Sequence, residues 1–348
     1  IIEAADHTRV PAGGALAVDR DSFSDYLESR LSELAGFTLI REEVTDIPGD
    51  VPLIIAAGPL CSEALSQSIR SYIGAEQLYF YDAAAPIVFH ESLDHGTIFR
   101  ASRYDRGSDY LNCPMNREEY LAFYQALVNA ERVERREFEK GELFSGCMPV
   151  EEMARKGEDT LRFGPLKPVG LTDPRTGETP YAVVQLRQDD TQGTLYNLVG
   201  FQTNLRHPEQ KRVFSMIPGL QNARFARYGV MHRNTFIHSP GLLSPVYRVK
   251  KETRPLYFAG QITGVEGYVE SAASGLAAGL SIAMEIRGAS FAGFPPETMI
   301  GAMGHYISGY TGKDFQPMNA NFGLLPPLDT RVRKKKERYQ AYAKRSVD

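Results

Sequence analysis

The hydrophobic positions near the start of the chain change between helical and extended spacing. Between Asp21 and Ala35 the apolar residues recur every three or four positions, which predicts an amphipathic helix. The apolar runs that follow are short, and they predict strands over 38–44, over 51–59 with a closing Gly-Pro, and over 78–82. A helix is predicted over 62–72. The order strand, turn and helix is typical of an α/β fold.

The segment from about His90 to Tyr247 is richer in arginine, aromatic residues and turn signals than the flanking sequence. Its pattern predicts a long polar helix over 118–139 and strands over 181–186, 194–201 and 229–236. We therefore interpret 90–247 as an α+β domain inserted into a discontinuous domain made of 1–89 and 248–330. Residues 331–348 form a basic tail with a composition that favours a helix.

A glycine-rich stretch at Leu256–Gly279 predicts a short buried strand, a turn, and a helix of small residues that begins near Tyr268. Gly260, Gly264 and Gly267 would let the backbone approach a ligand closely, and the start of the helix would present unpaired N–H groups to an anion. A dinucleotide pyrophosphate or the edge of a flavin would suit such a turn. Tight packing of strand on helix gives the same glycine spacing, so the pattern alone leaves both interpretations open.

The net charge of −4 conceals two basic segments. Residues 199–250 hold eight Lys or Arg against one acidic residue, and residues 331–345 repeat that balance. The rest of the chain is strongly acidic, so a polyanion could bind on the basic segments of an otherwise acidic protein. A solvated tail with a mixed surface is the alternative interpretation.

The remaining composition excludes several classes of protein. The sequence contains no run of about 18 apolar residues, so a membrane span is not expected. A signal peptide is not expected either. Cys61, Cys113 and Cys147 lack the spacing of a zinc site or a disulfide framework, which predicts no metal and a location in the reducing cytoplasm.

Five segments, in the same order along the chain, resemble the folate- and FAD-dependent tRNA (uracil-5-)-methyltransferases of the TrmFO type. They are distributed along nearly the whole sequence and are Ala4–Arg20, Tyr110–Met115, Gly146–Pro149, Leu256–Gly279 and Phe315–Gly323. The flavoproteins that modify the tRNA wobble uridine share the Ala-Gly-Gln flavin motif but resemble the other segments less well.

The resemblance implies an α/β fold, with an FAD-binding Rossmann-like domain of the glutathione-reductase type and an inserted α+β domain. It implies C5-methylation of the T-loop uridine of tRNA to 5-methyluridine, with FAD as cofactor and methylenetetrahydrofolate and NAD(P)H as co-substrates. Two alternatives are a tRNA-binding fragment without turnover and a flavoprotein that modifies the wobble uridine. The sequence begins as though within an element, and the family's Gly-x-Gly-x-x-Gly turn and its other catalytic cysteine are expected before Ile1.

C5-methylation of uracil needs a nucleophile that adds to C6, and a thiolate is well suited to this step. Cys147 matches the cysteine of the family's Gly-Cys-Met-Pro motif, so the resemblance implies that it is catalytic. Cys113, between apolar residues and Pro114, is predicted to be structural. Cys61 is predicted to be incidental, although it lies near a helix start.

The predicted cofactor contacts come from three turns. Near the N-terminus, Gly13 and Gly14 permit close backbone approach and Arg20 could bind a phosphate; an ordinary hairpin is the alternative. The Gly58-Pro59 turn resembles the second flavin-contacting turn of FAD-binding α/β proteins. In the glycine-rich stretch we predict Gly260, Gln261, Ile262, Gly264, Glu266, Gly267 and Tyr268, and for Tyr268 a catalytic role in stacking or proton transfer as well. Packing of Tyr268 as a half-buried aromatic is equally consistent with the sequence. Lys313 and Asn319–Asn321 could border the same site.

The predicted tRNA contacts are basic residues of the inserted domain and the tail: Arg206, Arg212, Arg224, Arg227, Arg233, Lys334, Lys335 and Lys336. Phe225 and Tyr228 could stack on RNA bases. His95 and His232 receive no role, because isolated histidines are usually surface or turn residues.

Overall fold

A computed structural model of the protein describes residues 1–74, 77–133, 148–312 and 315–347. The chain forms two compact units, Ile1–Arg41 with Tyr81–His232, and Glu42–Phe80 with Arg233–Asp348. It passes from one unit to the other after Arg41 and again within strands β4 (Gln77–Ala83) and β11 (Met231–Ile237). The assignment of 1–89 and 248–330 to one cofactor-binding domain stays a prediction.

The first unit contains a six-stranded antiparallel sheet with helices packed against it. The strand order is β10-β5-β9-β8-β7-β6. The elements are α1 (Ile2–His7), β1 (Arg9–Val10), β2 (Ala17–Val18), α2 (Arg20–Ser32), β5 (Ile87–Phe89), β6 (Phe99–Arg100), β7 (Tyr110–Met115), α4 (Arg117–Val128), α5 (Val150–Arg155), α6 (Thr160–Phe163), β8 (Ala182–Gln188), β9 (Leu195–Leu198), α7 (His207–Phe214) and β10 (Phe225–Arg227). The unit therefore combines helices with an antiparallel sheet, and the assignment of 90–247 to an inserted domain stays a prediction.

The core of this unit lies between the sheet and helices α4, α5 and α7. Apolar side chains of β7 and β8 meet those of α4 there, and Phe201 packs edge to face against Phe214 of α7 with ring centroids 5.3 Å apart. A capping box fixes the start of α4: Asn116 accepts from the Glu119 backbone N–H, and Glu119 accepts from that of Asn116.

The second unit is built around a pair of parallel strands. β3 (Leu53–Ile55) pairs with β12 (Leu256–Phe258), with Tyr257 opposite Ile54. Its helices are α3 (Glu63–Ile73), α8 (Tyr268–Ile286), α9 (Met299–Gly309) and α10 (Lys335–Arg345). None of the helices in the described ranges is long and apolar enough to cross a membrane.

Most predicted elements are confirmed, and two predictions were wrong. Residues 38–44 form no strand; they are irregular and mostly exposed, and none of them pairs with a strand among the described residues. The helix predicted over 118–139 ends at Val128, because Asn129 leaves the regular helix and Arg132 bridges to Leu205. Residues 134–139 lie outside the described residues.

Candidate functional site

Two adjacent strand ends in the second unit carry the predicted cofactor residues. β3 and β12 are parallel, so both carboxyl ends lie at one edge, and each continues through a glycine turn into a helix. After β3 the chain passes Gly58 and Pro59 to α3, whose first turn is capped by Ser62. Open α/β sheets bind ligands at the carboxyl ends of their strands. The structure therefore brings the Gly58-Pro59 turn and the 260–268 turn to one edge.

The turn after β12 contains one position that is open and one that is filled. Gly260 has φ +79°, and a Cβ there would have only the Ser271 side chain nearby, at 3.9 Å. Gly264 has φ +88°, and its Cβ would lie 2.6 Å from Cζ of Phe315. The ring of Phe315 therefore occupies the space beside Gly264. This geometry favours a packing role for Gly264, while Gly260 leaves room for a ligand.

The conformation of this turn is held by its own hydrogen bonds. The Gly260 N–H donates to Ser274 Oγ at 2.7 Å, and Thr263 Oγ1 donates to the Gly260 carbonyl at 2.8 Å. The Gln261 amide donates to the Glu266 carboxylate at 2.6 Å, so these two residues, both predicted to contact the cofactor, are hydrogen-bonded to each other. Ile262 is fully buried. A turn held this firmly can present a preformed surface to a cofactor.

At the start of α8 the side chains point into solvent. Tyr268 is 94% exposed and Val269 is also exposed. Gly267 precedes them with φ +111°, and no side chain caps the helix. The N–H groups of Tyr268 and Val269 have no acceptor among the described residues. The structure thus presents a phenol and free backbone donors at the same helix terminus, which is the arrangement that anions favour.

A loop from the C-terminal part of the chain completes this turn. Met318 bonds the turn twice: its N–H donates to Gly264 at 3.0 Å and its carbonyl accepts from Glu266 N–H at 2.9 Å. Asn319 Nδ2 donates to the Glu266 carbonyl at 3.3 Å. Asn321 lies farther along and bonds within its own loop. Lys313 lies outside the described residues.

The N-terminal glycine pair is located in the first unit, where other residues of the protein fill the space beside Gly13. Gly13 N–H donates to Asp109 Oδ2 at 2.6 Å, and the ring of Tyr110 lies 3.1 Å from the position of a Cβ. Gly14 is exposed, and Arg20 forms an ion pair with Asp189 at 3.1 Å. The hairpin interpretation of this segment therefore accounts for its contacts.

The two described cysteines differ in burial. Cys113 lies in β7 and is fully buried, which raises the pKa of its thiol far above the ordinary value. Cys61 is half-buried, and desolvation raises the pKa of its thiol as well. Cys147 lies outside the described residues. Neither described cysteine is in a setting that favours a thiolate.

Most of the predicted RNA-binding arginines are paired with carboxylates. Arg212 binds Glu209 through two nitrogens at 2.7 and 2.8 Å, and Arg224 pairs with Glu91. Arg206 lies 3.4 Å from Glu131. Arg227 is exposed without a carboxylate partner among the described residues, and the side chain of Arg233 is not described.

The three lysines at the start of α10 are exposed. Lys334 binds Glu337 at 3.0 Å, and Lys335 lies 5.5 Å from the ring of Tyr339. Lys336 is free among the described residues.

In the first unit, His207 stacks on Tyr228 with ring centroids 4.6 Å apart. The sequence did not indicate this contact, because 21 positions separate the two residues.

The chain is similar over most of its length to a known protein family and to curated relatives. The family described as "Glucose inhibited division protein A" matches residues 1–290. The chain is 60% identical, over its whole length and 79% of the relative, to the "methylenetetrahydrofolate–tRNA-(uracil-5-)-methyltransferase TrmFO" of Heliobacterium modesticaldum. It is 58% identical to the proteins of the same name from Enterococcus faecalis and Listeria monocytogenes, covering 80% of each.

Solved structures support the fold. Aquifex aeolicus GidA in its form II crystal aligns with a TM-score of 0.64 and 16% identity, over 89% of this chain and 58% of that one. The form I crystal gives the same score over 60% of its chain. Together with the family match, this similarity confirms the predicted α/β fold of the FAD-binding Rossmann-like class.

Proposed function

The chain belongs to the TrmFO family of tRNA (uracil-5-)-methyltransferases, and from this premise we propose that it transfers a one-carbon unit from methylenetetrahydrofolate to C5 of a tRNA uridine. The finer parts of the proposal are the T-loop uridine as target, FAD as cofactor, NAD(P)H as reductant and the cytosol as location. The observation that carries it is 58–60% identity with relatives of that name over the whole chain.

The turn residues of the second unit fit FAD. Gly260 is open on its Cβ side, the Gly58-Pro59 turn lies at the neighbouring strand end, and the start of α8 offers free N–H donors. We propose that these groups and Gln261 hold the flavin portion. When bound, FAD would supply hydride acceptance and one-carbon transfer at its ring. The packed positions Ile262 and Gly264 would stabilise the turn without contacting the cofactor.

The protein must supply a nucleophile, and Cys147 is the proposed one. Burial raises the pKa of both described cysteines, so neither Cys61 nor Cys113 favours the thiolate. Addition of the Cys147 sulfur to C6 of the uracil would make C5 nucleophilic, so that C5 could form a bond to the methylene carbon of the folate-derived one-carbon unit. Loss of the C5 proton, reduction of the methylene to a methyl group by a hydride that derives from NAD(P)H, and elimination of the sulfur from C6 would give the methylated base and restore the thiolate.

Tyr268 is proposed to stack on a planar ring at the site of methyl transfer. Its side chain makes no ring contact or hydrogen bond with the described residues, and it stands at the helix terminus proposed to bind the cofactor. An exposed ring of this kind can stack on a planar ligand and exclude water from it. The basic residues Arg227, Lys334, Lys335 and Lys336 would bind tRNA phosphates.

The test is formation of 5-methyluridine from isotope-labelled methylenetetrahydrofolate, an unmodified tRNA transcript and NAD(P)H, followed by nucleoside mass spectrometry. Cys147→Ala should abolish methyl transfer while the visible flavin absorbance is unchanged. Cys61→Ser is the matched control and should retain activity. Full activity of Cys147→Ala would assign the nucleophile to another residue.

The same assay separates the alternatives. A modified wobble uridine in place of 5-methyluridine would support the other flavoprotein family, and tRNA binding by a colourless, inactive protein would support a binding fragment. The similarity to named TrmFO proteins does not favour either alternative.

A further inference from the structure

The first unit contains an open cavity of about 410 Å³ that the proposed methyl transfer does not use. Lys211 of helix α7 and Ser215, which follows that helix, contribute to its lining. The segment 222–228, which contains β10, supplies Asn222, Arg224, Phe225 and Tyr228. Its volume lies within the range of roughly 300–1,000 Å³ that is usual for small-ligand sites. Basic, amide, hydroxyl and aromatic groups therefore meet in one cavity.

Three aromatic rings form a stack beside this cavity. Tyr228 lies between His207 and Phe225, with centroid distances of 4.6 and 4.9 Å and interplanar angles of 14° and 15°. Phe225 and Tyr228 are half-buried and both line the cavity. A stack of nearly parallel rings can be extended by another planar ring, which is how proteins bind unstacked nucleic-acid bases.

Polar groups of the cavity are available to a ligand. Lys211 and Asn222 are exposed, and neither side chain has a hydrogen-bond or ion-pair partner in the described ranges. A lysine ammonium can bind a phosphate, and an amide can donate to and accept from the edge of a base. The cavity thus combines a stacking surface with groups for both parts of a nucleotide.

The walls of the cavity are held by hydrogen bonds to neighbouring segments. Gln210 in α7 donates to the Gly229 carbonyl at 2.7 Å and accepts from the Gly229 N–H at 2.8 Å. The Arg224 N–H donates to Ser92 Oγ at 2.9 Å, and its carbonyl accepts from Phe89 N–H at 3.0 Å. The rings are therefore held in place before a ligand arrives, which lowers the entropic cost of binding.

We propose that this cavity binds one unstacked nucleotide of the tRNA, with its base on the Phe225–Tyr228 stack and a neighbouring phosphate near Lys211. This inference rests on the proposed function, because tRNA is the RNA that the enzyme would meet. It assigns to the first unit a contact that is made with a base and not only with the phosphate backbone. The nucleotide is distinct from the target uridine, which must reach the cofactor and the nucleophile.

The experiment exploits the absence of tryptophan from the chain. Phe225→Trp introduces the only tryptophan of the chain at the cavity while retaining an aromatic ring, and titration with an unmodified tRNA transcript should quench the tryptophan fluorescence. Tyr268→Trp, far along the sequence in the other unit, serves as a probe of the proposed cofactor site. Phe225→Leu should weaken tRNA binding about tenfold in a fluorescence-anisotropy titration, because it removes one stacked base.

Two further variants keep the test independent of folding. Lys211→Glu changes an exposed residue and should also weaken tRNA binding, by about tenfold or more. The matched control is Phe163→Leu, since Phe163 is an aromatic residue of the same unit that is 80% exposed and does not line the cavity. It should bind tRNA as the unmodified protein does.

The outcomes distinguish the cavity from the proposed function. If the protein forms 5-methyluridine while Phe225→Leu and Lys211→Glu bind tRNA with unchanged affinity, the cavity proposal is wrong and the proposed function stands. If the unmodified protein binds no tRNA, both are wrong. Weakened binding by the two cavity variants, with Phe163→Leu unchanged, supports the cavity as the nucleotide site.

Discussion

At the scale of single residues, two glycines of the turn after β12 differ: Gly260 leaves room for a ligand, whereas Gly264 is needed for packing. A side chain at Gly264 would collide with the Phe315 ring, at a φ of +88° that L-residues rarely adopt. Gly264→Ala should therefore lower the free energy of unfolding by at least about 2 kcal/mol. Gly275→Ala is the matched control, because that position lies within α8 and has no atom within 4 Å of a Cβ.

Urea unfolding of both variants measures the difference. Gly275→Ala should be neutral or stabilising by up to about 1 kcal/mol, since alanine favours a helix more than glycine does. Equal stability of the Gly264 and Gly275 variants would contradict the packing role of Gly264.

Tyr268 should affect catalysis without affecting stability. Its side chain is 94% exposed, so Tyr268→Ala should change the free energy of unfolding by less than about 0.5 kcal/mol. If the ring stacks at the proposed site, methyl transfer should fall at least tenfold, and Tyr268→Phe should restore most of it. Unfolding curves and the 5-methyluridine assay are compared on the same preparations. Undiminished methylation by Tyr268→Ala would exclude a role for the ring.

At the scale of elements, a partly buried polar cluster attaches α8 to β12. Glu285 accepts from Arg248 Nε and Nη2 at 3.0 and 2.8 Å and from the Tyr257 hydroxyl at 2.6 Å. The Tyr257 hydroxyl also lies 3.0 Å from Ser281 Oγ. These bonds join the helix that begins at the proposed cofactor site to the strand that precedes it.

This cluster predicts a pH dependence of stability. The Arg248 guanidinium lowers the pKa of Glu285 below its ordinary value of 4.5, so the contribution of Glu285 is present above that pH and is lost as the pH falls through the lower, folded-state pKa. Glu285→Gln should cost about 1–3 kcal/mol at neutral pH. Urea unfolding of the two proteins should converge as the medium is acidified below the folded-state pKa.

The control for this prediction is an exposed ion pair. Arg30 binds Glu33 at 2.8 Å on the surface of α2, with both side chains more than half exposed. Such pairs contribute little, so Glu33→Gln should leave the unfolding free energy within about 0.5 kcal/mol. A pH-independent loss in Glu285→Gln would indicate that shape, and not charge, is what the cluster requires.

Elements with a local signal could be predicted from the sequence. Helix α3 lies where a helix was predicted, with Ser62 as its cap, and the glycine turn precedes α8 as expected, because caps and turns depend on neighbouring residues. The strand predicted over 38–44 failed because a strand needs a partner, which local spacing does not reveal. The filling of the Gly264 side by Phe315, and the stacking of His207 on Tyr228, join positions far apart in the sequence, so no periodic pattern could indicate them.

At the scale of the whole molecule, charge is distributed unevenly although the net charge is only −4. In the first unit the carboxylates Glu209, Glu91 and Glu131 pair with predicted RNA-binding arginines, whereas Lys211 and Arg227 have no such partner in the described ranges. Basic residues that are already paired release fewer counterions when RNA binds. The unpaired residues should therefore account for most of the electrostatic part of tRNA affinity.

The lysines that begin α10 test this view of the charge distribution. Replacement of Lys335 and Lys336 by alanine should weaken tRNA binding and make it less dependent on salt, since each lost phosphate contact lowers the slope of log affinity against log salt by about one. Lys334 is left in place because it is already paired with Glu337. Arg30→Ala with Arg41→Ala is the matched control, because both arginines are bound to carboxylates of their own surroundings. Their removal should leave the slope unchanged. A slope that remains constant in the lysine variant would place α10 outside the RNA-binding surface and leave the phosphate contacts to Lys211 and Arg227, whose replacement should then account for the whole salt dependence.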